Sequence, residues 1–90
     1  MPHEPEYTVE LVKSGLADLG KYSLQEKVQI FDAIQELRQR PADLGRIATM
    51  PFNHREWIFY VLHEDERIDC IHYKLDIDKR RLVIFGITRH

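Results

Sequence analysis

The sequence of residues 56–89, EWIFYVLHEDERIDCIHYKLDIDKRRLVIFGITR, contains three runs that are rich in β-branched and aromatic side chains. Such side chains suit a pleated, half-buried surface, so we predict strands over 56–63, 67–75 and 81–89. The two links between the runs are short and mostly charged. Because parallel strands need a crossover of about a dozen residues, this stretch predicts an antiparallel meander. The rest of the chain must cover one face of that sheet.

A capping box opens a helix upstream of this stretch. In Ser23-Leu24-Gln25-Glu26, the serine side chain can accept a hydrogen bond from the Glu26 amide while the Glu26 carboxylate reaches back to the Ser23 amide. Apolar side chains then recur at helical spacing and form one stripe: Leu24, Val28, Phe31, Ile34 and Leu37. Because the sheet needs a cover, we expect this stripe to face the core.

Shorter elements complete the pattern. Apolar and polar side chains alternate over residues 7–12, which predicts a first strand. Residues 13–20 predict a short helix that ends at a glycine. Residues 44–50 predict a turn that leads into an edge strand, which Pro51 would end because proline cannot donate a hydrogen bond to a neighbouring strand.

The order of elements predicts a single α+β domain over residues 1–90. It consists of an N-terminal strand, a two-helix hairpin and an antiparallel meander of three to four strands, with the helices packed on one sheet face. Residues 1–6 contain two prolines and little apolar content, which predicts a loose tail.

Composition limits the class of protein. No segment approaches the roughly 20 apolar residues of a membrane-spanning helix, and no signal-like leader opens the chain, so we expect a cytoplasmic protein without membrane association. The single cysteine, Cys70, excludes an internal disulfide, and its mid-strand position favours a small buried hydrophobe over a reactive thiol. A net charge of −2 gives no support to non-specific nucleic-acid binding.

The five histidines first suggest a metal site. Ligation needs three or four converging side chains, but His63 and His72 on neighbouring predicted strands would lie roughly 13 Å apart. The sequence also lacks a Gly-rich phosphate loop, a cysteine pair and a His-Glu-x-x-His motif. We therefore expect no native metal site and no cofactor.

Acid–base chemistry on RNA is a second possibility. Cleavage by the 2′-hydroxyl needs a base, an acid for the leaving oxygen, and cations that stabilise the charged phosphorane-like state. Side chains of these types lie near the ends of the predicted strands or along them: Arg55, His72, Lys74, Arg89 and His90. The competing interpretation is that these side chains have no catalytic role and simply face solvent at the ends of strands.

The order of elements and the C-terminal pattern resemble the RelE/ParE superfamily of bacterial type II toxins, over residues 7–90. The resemblance rests chiefly on IHYKLD at 71–76 followed by LVIFGITR at 82–89. These runs are similar to the family's paired strands, in which an apolar-Tyr-x-apolar-Asp strand turns into an apolar strand that ends near a basic residue. The resemblance implies a compact toxin that a cognate antitoxin neutralises. RelE-like members cut mRNA in the ribosomal A site, whereas ParE-like members poison DNA gyrase.

Carried over to this chain, the resemblance assigns the terminal basic position to Arg89 and matches His90 to a catalytic histidine that some nucleases of the group have near the C-terminus. The chain departs from the family pattern at other positions. The usual arginine three residues before the strand tyrosine falls on Cys70, and no tyrosine follows Arg89. The lysine pair of the most active ribosome-dependent nucleases is missing before the meander.

The first hypothesis is therefore a metal-independent, RelE-like mRNA endoribonuclease that inhibits translation and has an antitoxin partner. Its candidate catalytic residues are Arg55, Lys74, Arg89 and His90. Its candidate substrate-binding residues are His54, His72 and Arg81.

Two alternatives remain open at this stage. The second hypothesis is a non-enzymatic binder with the same fold, either a ParE-like gyrase inhibitor or a degenerate toxin that binds an antitoxin. Two features favour this second hypothesis: Cys70 stands where the family has an arginine, and the net charge of the chain is negative. The third is a cytoplasmic domain unrelated to toxins.

Overall fold

The computed structural model describes residues 6–48 and 56–89. Within these ranges the elements are, in order, β1 (Thr8–Leu11), α1 (Lys13–Leu19), α2 (Leu24–Leu37), α3 (Pro41–Leu44), β2 (Arg46–Ala48), β3 (Glu56–Leu62), β4 (Ile68–Asp76) and β5 (Arg81–Arg89). The predicted α+β order is confirmed, and α3 is an additional element. Apart from Glu6, the predicted tail lies outside the described residues, as does the end of the predicted edge strand at 49–51.

The described strands form one five-stranded sheet in the order β1-β5-β4-β3-β2. The strands β2 to β5 pair antiparallel with their neighbours, which confirms the predicted meander. The first strand, β1, pairs parallel to β5, with Thr8 opposite Arg81. The chain between β1 and β5 contains the three helices and three other strands, which is more than the length that such parallel pairing requires.

The core lies between the sheet and the helices. Along β4, Ile71 and Tyr73 are fully buried, and along β5 the same holds for Leu82 and Ile84. Because side chains alternate along a strand, this pattern means that the helices cover one face of the sheet.

The buried face of α2 differs from the predicted stripe. Ile30, Ile34 and Leu37 pack into the core at helical spacing. Three side chains of the predicted stripe are instead exposed, by 79%, 52% and 46% respectively: Leu24, Val28 and Phe31. The helix has two apolar faces roughly 120° apart at 100° per residue, and the sheet covers the one that contains Ile30. The expectation that the whole stripe faces the core is therefore wrong for these three residues.

A β-bulge interrupts the pairing of β4 with β5. His72 pairs with Gly86, but the next residue, Tyr73, pairs with Ile84, so Phe85 is an extra residue in β5. An extra residue reverses the faces from which all later side chains of that strand project.

Beyond the bulge, Ile87 is buried as Ile84 is before it. Thr88 then projects away from the helices, and Arg89 projects toward them, opposite Asp69. The bulge therefore decides which chemical groups each face of the sheet presents at its end.

The predicted capping box is present at the start of α2. The Glu26 amide donates to Ser23 Oγ over 3.2 Å, and the Ser23 amide donates to Glu26 Oε1 over 3.1 Å. The hydrogen bond from the Ser23 backbone is the main reason that the pKa of Glu26 lies below its usual value.

We expect Ser23→Ala to lower the free energy of unfolding by about 1 kcal/mol, because it leaves a helix N-terminal amide without a partner. Urea denaturation measures this loss. Ser23→Asp is the matched control, since aspartate also caps helices and should retain most of the stability. Equal stability of Ser23→Ala and the parent protein would contradict this role for the cap.

Candidate functional site

The sheet face that points away from the helices carries a group of polar and aromatic side chains. We call it the outer sheet face and define it by Glu56 on β3, His72 and Lys74 on β4, and Arg81, Phe85 and Thr88 on β5. These positions alternate with the core residues of the same strands, which is why they share a face. Three sequence-predicted site residues, His72, Lys74 and Arg81, therefore lie on one side of the protein.

His72 is held between the two neighbouring strands. Its Nδ1 lies 3.1 Å from Glu56 Oε1 and its Nε2 lies 2.7 Å from Thr88 Oγ1. A carboxylate can only accept, so Nδ1 carries the proton and donates it to Glu56. In the neutral ring, Nε2 is then an acceptor for the Thr88 hydroxyl. The His72 and Glu56 side chains are 20% and 17% exposed, so solvent reaches the pair.

Glu56 is a functional candidate that sequence reasoning missed. It opens β3, and its alternation with the core residue Trp57 was visible in the sequence. Its contact with His72 depends on the register that pairs Ile58 with His72. That register is set by the β3–β4 turn and does not follow from either strand alone.

Lys74 is the cation beside this histidine on the outer sheet face, and Arg81 lies further along the face, opposite Asp76. The Lys74 ammonium lies 5.6 Å from the centre of the Phe85 ring. Lys74 is two residues from His72 on the same strand, which places their Cα atoms roughly 7 Å apart. Arg81 forms an ion pair with Glu10 of β1. The face thus combines an imidazole, a carboxylate, cations and a half-buried aromatic ring.

Arg89 lies on the opposite, helix-covered side of the sheet. Its Nη2 donates to Glu26 Oε2 over 2.9 Å, and its Nε lies 3.8 Å from Asp69 Oδ1. The guanidinium carbon is 5.6 Å from the centre of the Tyr22 ring. The structure therefore does not bring Arg89 together with Lys74 and His72, because the bulge in β5 turns it toward α2.

A buried polar network lies beneath Arg89. The Tyr22 hydroxyl donates to Asp69 Oδ1 over 3.0 Å, Asp69 Oδ2 contacts His63 Nε2, and His63 Nδ1 contacts Gln29 Oε1. Asp69 and His63 are 1% and 4% exposed. Burial, followed by the hydrogen bond to Asp69, raises the pKa of Tyr22 to about 12. These groups satisfy one another inside the core, which indicates a structural role.

The remaining predicted site residues, His54, Arg55 and His90, lie outside the described residues. Cys70 is buried on β4, as predicted, and burial raises the pKa of its thiol. Within 6–48 and 56–89, no group of histidine, cysteine and carboxylate side chains is arranged to hold a metal ion. Among the described helices, none is long and apolar enough to span a membrane.

Comparisons with known proteins identify the fold. No protein-family model and no curated protein matches the chain. Among solved structures, it is similar to a chain of the RelBE2 toxin–antitoxin complex from Mycobacterium tuberculosis, with a TM-score of 0.80, 16% identity, and coverage of 94% of this chain and 92% of that chain. It is also similar to a chain of the intact E. coli RelBE toxin–antitoxin complex, with a TM-score of 0.72, 13% identity and coverage of 93% and 96%. The chain therefore has the same fold as these chains of RelBE complexes, which confirms at the level of fold the resemblance drawn from its sequence.

Proposed function

We propose that this chain, with its RelE toxin fold, is the toxin component of a type II toxin–antitoxin system and cleaves mRNA during translation. The supporting observation is the similarity over 94% of the chain to a component of a toxin–antitoxin complex. By the same reasoning its partners are a cognate antitoxin, which neutralises it, and the translating ribosome in the cytoplasm. The chemistry assigned to it is metal-independent.

The outer sheet face is the proposed RNA-binding surface. Lys74 and Arg81 are cations suited to phosphate, and the half-buried Phe85 ring is an aromatic surface of the kind that stacks on unpaired bases. Of the catalytic residues suggested by the sequence, Lys74 lies on this face. Arg89 pairs with Glu26 on the other side of the sheet, so we assign it a stabilising role in this proposal.

We expect expression of the chain without its antitoxin to arrest bacterial growth and to produce cleaved mRNA, which primer extension detects. Lys74→Ala should slow cleavage about tenfold or more, because a charged hydrogen bond to phosphate contributes roughly 1.5–3 kcal/mol. Lys79→Ala is the matched control, since Lys79 is an exposed lysine in the turn between β4 and β5. Equal arrest and cleavage by Lys74→Ala and the parent protein would contradict the surface proposed for RNA.

A second candidate function is a non-enzymatic binder with the same fold, such as a gyrase inhibitor or a degenerate toxin that retains antitoxin binding. Two observations favour it. Cys70, which is buried, occupies the position where the family has an arginine, and Arg89 is engaged by Glu26. Purified protein that inhibits DNA supercoiling while leaving mRNA intact would identify this function.

A further inference from the structure

We propose that His72 is the general base of the outer sheet face and that Glu56 is its positioning residue, in cleavage of RNA by its own 2′-hydroxyl. This inference rests on the proposed function and deepens it, because it names the groups that carry the proton transfer. Neither residue takes this role from the resemblance, which points to the C-terminal residues instead.

The geometry around His72 is that of an oriented base. Glu56 Oε1, 3.1 Å from Nδ1, fixes the tautomer and leaves Nε2 without a proton. The same carboxylate stabilises the imidazolium that forms when Nε2 takes up a proton. Because Glu56 comes from β3 and Thr88 from β5, the ring is held from both neighbouring strands of the sheet.

The two histidines within the described residues contrast in their accessibility. Both nitrogens of His63 are committed to Asp69 and Gln29 within the core. His72 instead meets solvent, and its Nε2 contacts the hydroxyl of Thr88, an exposed residue. Gly86 pairs with His72 and places no side chain against the ring. His72 is therefore the histidine that a ligand on the outer sheet face can reach.

The Thr88 hydroxyl occupies the position that the ribose 2′-hydroxyl would take at Nε2. On RNA binding, the 2′-hydroxyl replaces Thr88 and gives its proton to Nε2 as the O2′–P bond forms. The P–O5′ bond then breaks, and the 5′-oxygen takes a proton from the Lys74 ammonium. Water carries a proton from the imidazolium back to the lysine. The products are a 2′,3′-cyclic phosphate and a 5′-hydroxyl.

The test compares purified variants on translating ribosomes that carry a defined mRNA. His72→Gln should lower the rate of cleavage about 100-fold or more, the usual contribution of a general base. His72→Ala should regain activity when free imidazole is added, which loss of a purely structural histidine would not allow. The cleaved RNA should carry 2′,3′-cyclic phosphate ends, and mRNA with a 2′-deoxy nucleotide at the cleavage position should remain intact.

The role of Glu56 has its own readout. Glu56→Gln should lower kcat about tenfold while KM stays within about twofold, because the change misorients the base and leaves the substrate contacts in place. Glu64→Gln is the matched control, since Glu64 is an exposed glutamate in the turn after β3. Circular dichroism of each variant verifies that it is folded.

The outcomes separate this inference from the proposed function. Cleavage by His72→Gln at the parent rate, or products with 5′-phosphate ends, would overturn the role of His72 while the endoribonuclease proposal stands. Cleavage by the Thr88→Val variant should remain at least tenfold faster than cleavage by the His72→Gln variant. A loss as deep as that of His72→Gln would show that the Thr88 hydroxyl is essential to the reaction and overturn the mechanism. Parent protein that cleaves no mRNA overturns both proposals.

Discussion

Gly45→Ala is expected to lower the free energy of unfolding by about 3–5 kcal/mol, because the added methyl group has no space. A Cβ atom at position 45 would lie 1.6 Å from Tyr73 Oη and 2.8 Å from Tyr73 Cζ. Tyr73 cannot move aside easily. It is fully buried, its hydroxyl donates to the Pro41 carbonyl over 2.6 Å, and its ring stacks on Trp57 at 6.2 Å between centroids.

Urea denaturation of Gly45→Ala, Tyr73→Phe, the double variant and a control tests this explanation. Tyr73→Phe removes the oxygen atom that the new methyl group would strike, so the double variant should lose less stability than the sum of the two single losses. Gly20→Ala is the control, since the nearest atom to a Cβ there is 3.4 Å away. Strict additivity of Gly45→Ala and Tyr73→Phe would show that the two sites do not collide.

Asp69→Ala is expected to lower the free energy of unfolding by about 3 kcal/mol or more. The substitution removes the acceptor of both the Tyr22 hydroxyl and the His63 ring, and His63 is buried. Each buried polar group left without a partner costs about 1–3 kcal/mol. The Arg89 guanidinium would also lose the carboxylate 3.8 Å from its Nε.

Two further variants isolate the cause. Asp69→Asn keeps the size of the side chain and one acceptor oxygen, so it should lose less stability than Asp69→Ala. Asp78→Ala, in the exposed turn before β5, should change stability by no more than about 0.5 kcal/mol. If Asp69→Ala unfolds at the same urea concentration as Asp78→Ala, the buried network does not stabilise the fold.

Local patterns predicted much of this fold. The alternation and the short charged links of residues 56–89 specify the meander, and the capping box specifies where α2 begins. The pairing of β1 with β5 joins the two ends of the chain, so no local pattern contains it. The orientation of α2 was missed because the helix is apolar on two faces, and the pattern alone cannot tell which one the sheet covers.

The candidate site was predicted in part for similar reasons. His72 and Lys74 are two residues apart on one strand, so the sequence alone shows that their side chains share a face. Glu56 and Thr88 reach the same histidine from neighbouring strands, and only the register between strands reveals this. Arg89 was grouped with Lys74 because the bulge at Phe85 leaves no clear mark in the sequence.

That bulge makes the last strand respond differently to changes in chain length at neighbouring positions. Loss of Phe85 alone would remove the bulge and leave Gly86 opposite His72, so Thr88 and Arg89 would keep their faces. A one-codon deletion beyond the bulge, at Ile87, would instead exchange the faces of Thr88 and Arg89. Descendants of a common ancestor could diverge in chemistry by such a step while their backbones remained superimposable.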